Sequence, residues 1–143
     1  PGNTIRRSIF DKFQHNGYEF LTVVSDLAIV SSYCALGVGV QVMSGAIINA
    51  EAVIGDNCII NTGAIIEHDC NLGSNNHVAP GASVSGGVIC GDNVHIGTGA
   101  NIIQAVTIGS GSVVAAGAIV TKNVPANSIV YAAKPFMLQG KKK

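Results

Sequence analysis

Positive charge is missing from most of this sequence. Between Lys12 and Lys122 there is no Lys or Arg, so the basic residues gather at the two ends. The acids of the middle (Glu51, Asp56, Glu67, Asp69, Asp92) stand without local counterions. Formal net charge is zero, which gives no electrostatic footprint for nucleic acid. The middle also lacks the basic patch on which an acidic carrier protein would dock. Tryptophan is absent and aromatics are only 5% of residues, so the core must be aliphatic. The four cysteines (Cys34, Cys58, Cys70, Cys90) form no CxxC pair, which removes the usual redox and zinc spacings. Free thiols of this kind suit a reducing cytoplasm. No apolar run escapes interruption by Gly or Asn, so neither a transmembrane segment nor a signal peptide is expected.

What is present is a period of six. From Val30 to Val120, every sixth residue is Val, Leu or Ile in fifteen of sixteen cases, and the exception is Cys90. No insertion or deletion breaks the phase. An internal repeat of this strength sets the architecture before any local propensity does. Two residues before each of these positions the side chain is mostly Ala, Cys or Val, on the same side of a strand. Cys34, Cys58 and Cys70 fall in that slot, and all four cysteines read as small buried hydrophobes. Three residues after each position stands Gly, Asn or Asp in thirteen of the sixteen hexads, the types that tolerate a left-handed backbone. A short strand followed by a forced corner, repeated, traces a triangular coil. Stacked coils form parallel sheets about 4.8 Å apart. The expectation is a mainly β chain, a left-handed parallel β-helix of about five coils over residues 28–131. The right-handed crossover rule governs longer units than these.

The ends fall outside the repeat. In residues 1–27, Ile5, Ile9, Phe10 and Phe13 recur at helical spacing, with Asn3 or Thr4 as cap and Gly17 as stop. The apolar face is expected to pack. Tyr18 to Val24 reads as a strand. This helix and strand look like a remnant of an α/β domain, or else they pack on the first coil. At the other end Val124-Pro125 stops the phase, Ile129 to Tyr131 reads as one more strand, and 132–143 is a tail closing on Lys141-Lys142-Lys143.

The repeat explains most residues, but not His68. It sits at a corner, two after the inward Ile66, with Glu67 and Asp69 on either side. A carboxylate beside an imidazole holds one tautomer and raises basicity, which suits a general base. Asp69 also fills the corner slot, so geometry alone accounts for an Asp there. His77 lies half a coil on, on another face. His95 stacks on His77 one coil further. That pair lacks the third and fourth ligands that zinc requires, so no metal is expected.

At these residues the sequence resembles a known family. Asn61-Thr62, Ile66-Glu67-His68-Asp69-Cys70, His77-Val78-Ala79-Pro80-Gly81 and Ser85-Gly86-Gly87-Val88 are similar to the sialic acid O-acetyltransferases and the N-acetyltransferases of UDP-4-amino sugars. These include the bacillosamine and perosamine enzymes. Asn3-Thr4-Ile5-Arg6 and Gly17-Tyr18-Glu19-Phe20 resemble the end of that family's sugar-nucleotide domain. The family's opening βα unit with its Gly-rich loop is not in this sequence. Where the family often has Gly-x-Pro-Ala-Lys, this chain has Tyr131-Ala132-Ala133-Lys134.

The resemblance implies a cytoplasmic homotrimer with active sites between subunits. It implies transfer of acetyl from acetyl-CoA to an amine or hydroxyl of a nucleotide-linked sugar. His68 would be the base, Asp69 its helper and Glu67 a further acid beside it. Asn61 would line the acceptor site. His77 would meet acetyl-CoA near the thioester, with the backbones of Gly86, Thr98 and Ala116 along the pantetheine and Lys134 at the far end. No Ser or Cys nucleophile adjoins His68, so transfer is expected to be direct. Two alternatives stand beside this: a metalloenzyme of the β-helix carbonic anhydrase kind, which needs three converging His, and an inactive structural trimer.

Overall fold

Six residues hold only a short extended segment before the next corner, and the strands are accordingly two residues long. The computed structural model describes residues 3–132, in which eighteen strands follow one helix, α1 (Asn3–His15). The strands form three parallel sheets of seven, six and five strands. Sheet A runs from Val23–Val24 to Ile129–Val130, sheet B from Ile29–Val30 to Ile119–Val120, and sheet C from Ala35–Leu36 to Thr107–Ile108. Each strand pairs with those one coil before and after. His77 lies between Ile59 and His95, and Ser83 between Ile65 and Asn101. The chain therefore visits A, B and C in turn and climbs one rung per circuit, giving a three-sided solenoid.

It has about six turns rather than five, because the repeat outlasts its strict phase at both ends. Val24 stands one hexad before Val30, and Val23–Val24 pairs with Gln41–Val42 as the first rung of sheet A. Only these two residues of the expected Tyr18–Val24 strand pair. After Val120 the phase slips by two: Val124 bridges to Ile108, and Ile129–Val130 pairs with Val113–Val114.

The inward positions from Val42 to Val120 are buried, with Ala46, Ala64, Ala82, Ala100 and Ala118 filling the tight slots at 0% exposure. Cys58, Cys70 and Cys90 are buried, Cys34 is half-buried in the first turn, and all four are free. Asn76 breaks the aliphatic rule and sits inside. Its amide is fully used: Nδ2 donates to the carbonyls of Gly73 and Gly91, both at 2.9 Å, and Oδ1 accepts from the Val94 N–H. A buried amide costs little when every valence is met.

The corners take a left-handed residue on all three edges. Even Glu51 (φ 60°) and Ala105 (φ 57°) adopt it, so the coil imposes the conformation and the residue complies. The corner slot at Asp69 has φ 59°.

Helix α1 docks by only one member of its apolar face, together with polar residues the spacing does not point to. Ile5, Ile9 and Phe13 are exposed, and only Phe10 is buried, at 5%. Phe10 packs on Phe20 with ring centroids 4.4 Å apart. The rest of the docking face is polar. Asn3 Nδ2 donates to the Val94 carbonyl at 3.2 Å. Arg6 donates to the carbonyl of Asn57 and to those of Asn75 (2.9 Å) and Asn76 (3.2 Å). The edge between sheets C and A turns these carbonyls outward, and one guanidinium serves three of them. The helix stops at Gly17 (φ 81°), with the Tyr18 N–H returning to the Phe13 carbonyl at 3.1 Å, the left-handed glycine stop expected. Among the described residues no helix is long and apolar enough to cross a membrane. Lys134 and the terminal Lys141–Lys143 lie outside the described residues.

Candidate functional site

His68 occupies the corner between strand Ile65–Ile66 of sheet B and strand Asn71–Leu72 of sheet C. With Ile66 fixed inward, the residue two further on faces out, and the His68 and Asp69 side chains are both 64% exposed. The left-handed turn at Asp69 folds its carboxylate back, so that Oδ2 lies 2.6 Å from His68 Nδ1. Nδ1–H therefore donates to the carboxylate, and Nε2 keeps its lone pair. The Asp69 hydrogen bond, helped by the negative charges of Asp69 and Glu67, raises the His68 pKa above the ordinary imidazole value. Glu67 is half-buried and anchored from the coil below, where Asn49 Nδ2 donates to its Oε2 at 2.8 Å.

The ring of His68 lies over Gly86, its counterpart one coil on. A β-carbon at Gly86 would fall 2.7 Å from His68 Cε1 and 2.8 Å from Nε2. The glycine thus clears a seat for the imidazole. The Gly87 N–H donates to the His68 carbonyl at 2.9 Å and pins the backbone beneath.

Asn61, Thr98 and Ala116 stand on a different edge, between sheets A and B. Their column is tied coil to coil by Gly81 N–H to Thr62 carbonyl (3.0 Å) and Gly117 N–H to Thr98 carbonyl (2.8 Å). His77 lies on the adjoining outer face of sheet A, half-buried, with its Nε2 3.2 Å from Asn61 Nδ2. His95 meets it edge to face, with centroids 5.0 Å apart, as the stacking rule expects. Burial, then the neighbouring His95 and Arg6, lowers the His77 pKa to about 4. His77 is neutral at pH 7.

The expected site residues thus form two groups in one chain. His68, Asp69, Glu67 and Gly86 share the B–C edge, while Asn61, His77, Thr98 and Ala116 share sheet A and the A–B edge. The width of sheet B separates them. Clefts of about 340 Å³ and 390 Å³ flank α1, and neither includes His68 or Asp69.

The thiols are poor nucleophiles. Burial pushes Cys58 to about 11 and Cys90 up to about 12. Among the described residues no three His, Cys, Asp or Glu side chains converge. Sequence reasoning missed Asn49 and the seat at Gly86. Both follow from adding or subtracting one coil of eighteen residues, since 49, 67 and 85 share a column, as do 68 and 86.

A family model for the bacterial transferase hexapeptide (six repeats) matches residues 51–86. No curated protein matches the chain. Among solved structures, a mutant of perosamine N-acetyltransferase from Caulobacter crescentus, in complex with CoA and GDP-perosamine, is 38% identical with a TM-score of 0.89. That match covers 90% of this chain and 61% of the other. The acetyltransferase domain of PglB from Neisseria gonorrhoeae FA1090 is 36% identical with a TM-score of 0.90, covering 94% of this chain and 67% of the other. The same domain is also known in complex with acetyl coenzyme A. WeeI from Acinetobacter baumannii AYE is 30% identical with a TM-score of 0.88, covering 91% and 64%. The chain therefore spans about two thirds of the length of these structures. With a six-residue period, a three-sided solenoid and relatives this similar over nine tenths of its length, the chain belongs to the bacterial hexapeptide-repeat transferase family.

Proposed function

We propose that the chain is an acetyltransferase domain that moves acetyl from acetyl-CoA to an amine or hydroxyl of a sugar carried on a nucleotide. The observation that carries this reading is the His68–Asp69 pair, an exposed imidazole with a 2.6 Å carboxylate partner and a free Nε2 on a fold that does not need it. Similarity to proteins holding CoA, acetyl-CoA and GDP-perosamine supports both substrates, with an amine as the better acceptor.

The geometry of the pair supports the following chemistry. His68 Nε2 takes the proton from the acceptor as its nitrogen or oxygen attacks the thioester carbonyl. Asp69 holds the imidazolium that forms. The tetrahedral oxyanion needs a fixed N–H donor, and backbone amides in the cleft supply it. Collapse breaks the C–S bond, leaves an amide or ester, and returns the proton from His68 to the departing thiolate. No acyl-enzyme is formed, since every described thiol is buried or half-buried and its pKa raised.

The two groups of site residues are brought together by a second copy. In a homotrimer packed side by side, the B–C edge of one subunit faces sheet A and the A–B edge of the next, which makes three equivalent clefts, each shared by two subunits. Gly86, Thr98 and Ala116 then line the pantetheine path with their backbones, Lys134 holds the far end of CoA, and Asn61 faces the acceptor. Residues 1–27 are the helix and strand of a sugar-nucleotide domain, with Val23–Val24 already the first rung of the solenoid that continues over 28–131, and 132–143 are a tail. The four free thiols suit a cytoplasmic setting.

The experiment is thiol release from acetyl-CoA with a panel of nucleotide-linked amino sugars and sialic acid, for the wild type and His68→Ala. Acceptor-dependent release abolished by the substitution supports the reading. Release by neither protein with any acceptor rejects it.

A further inference from the structure

We infer that Asn61 fixes the tautomer of His77, so that the ring presents Nδ1–H as a donor to the cosubstrate. The hydrogen bonds around the two side chains suffice to fix it. The oxygen of the Asn61 amide is spoken for: Oδ1 accepts from the Thr62 N–H at 2.8 Å and from Thr62 Oγ1 at 3.3 Å. Turning the amide over would set Nδ2 against a backbone N–H, donor against donor, so its orientation is determined. Nδ2 therefore faces His77 Nε2 at 3.2 Å with a hydrogen to give. Nε2 must accept. A neutral imidazole that accepts at one nitrogen carries its proton on the other.

The surroundings keep the ring neutral. The groups that face it are His95 from the next coil, edge to face, and the cationic Arg6 from α1. Both oppose a second positive charge, as does burial. No acceptor among the described residues takes the Nδ1 proton, so it remains available. Asn61 is thus a positioning residue acting through His77. This role stands beside the one proposed above, that it faces the acceptor.

The consequence is a division of labour between two imidazoles. His68 donates through Nδ1 to Asp69 and keeps Nε2 as a base. His77 accepts at Nε2 and offers Nδ1–H. A donor that cannot take up a proton near neutral pH does not compete with the base. That catalytic consequence rests on the proposed function; the tautomer does not.

The test is ¹⁵N-resolved NMR of the imidazole rings in the whole chain, for wild type, Asn61→Ala and Asn61→Asp, with His77→Gln to assign the signals. The wild type is expected to show a protonated-type Nδ1 and an unprotonated-type Nε2 at His77. Asn61→Asp replaces the donor with an acceptor, and Nε2 is expected to become protonated. Asn61→Ala is expected to leave a mixture of tautomers. Circular dichroism confirms that each variant keeps its fold. A wild-type ring protonated at Nε2, or an Asn61→Asp ring unchanged from wild type, overturns the inference. In the transfer assay kcat is expected to fall about ten- to a hundredfold in Asn61→Asp, the scale on which outer partners of an oriented imidazole act. The acid limb of the pH profile stays in place, because it belongs to His68. A swapped tautomer with unchanged kcat overturns the division of labour. If the rings behave as stated but even the wild type transfers nothing, the tautomer stands and the proposed function falls.

Discussion

His68 and His77 are nine residues apart on one regular repeat, yet their surroundings push them in opposite directions. His68 stands at a corner in solvent, bonded to a carboxylate, and its pKa is raised. His77 lies half-buried on a sheet face among an amide, a second imidazole and a guanidinium, and its pKa is lowered to about 4. The hexapeptide scaffold supplies both settings without altering its backbone. A corner gives exposure and a left-handed neighbour that folds a carboxylate back. A strand gives burial and a stacked column. Where two titratable groups are driven apart in this way, acid–base roles can be assigned to each.

The largest effect is expected at His68 itself. His68→Ala should lower the transfer rate by about 10²- to 10⁴-fold, the range of a single acid–base group, with the circular dichroism spectrum unchanged. A smaller effect, about a hundredfold, is expected from Gly86→Ala. The new methyl would meet the ring 2.7 Å away at Cε1, and the imidazole must leave its seat. Its loss should fall mainly on kcat, since the displaced group is the base, while the Gly86 backbone expected along the pantetheine is kept.

The next contrast sharpens the pair through pH. A base must be unprotonated, so with the His68 pKa raised by Asp69, kcat/KM should fall as pH drops through a value above that of free imidazole. Asp69→Asn removes the carboxylate and should move that limb to lower pH. Glu67→Gln should move it the same way by less, because Glu67 acts only through its charge. His77 contributes no limb near neutrality. The mildest effect is on the attachment of α1. Arg6→Ala removes a charged donor from three carbonyls and should cost about 1.5–3 kcal/mol in urea unfolding. The Nδ1–H of His77 should be retained, since Asn61 sets it.

The solenoid was legible in the sequence because a core one side chain wide leaves no freedom in spacing. A phase kept over sixteen hexads permits only one stacking, and the His77–His95 pair followed from it. The turns at the two ends were harder to read, because Val24 and Val130 lie where the accompanying slots lose their pattern: Thr22 replaces a small apolar residue, and the phase slips after Val120. The docking face of α1 was misread for a different reason. Apolar spacing points to Ile5, Ile9, Phe10 and Phe13, but of these only Phe10 packs, and the surface beside it is a column of carbonyls that Arg6 satisfies. In the site, His68 was visible because nothing in the packing requires it there. The contact between Asn61 and His77 was not visible, since it runs diagonally between neighbouring columns and depends on side-chain reach.

The proposed site depends on two edges that meet only when two copies of the chain pack together. The most direct measurement mixes two inactive forms, His68→Ala and His77→Ala, by unfolding and refolding them together in equal amounts before assaying acetyl transfer. If each site takes His68 from one copy and His77 from its neighbour, roughly a quarter of the sites should be whole and activity should return. If the mixture stays as inactive as either form alone, although both are folded and associated, no such shared site exists.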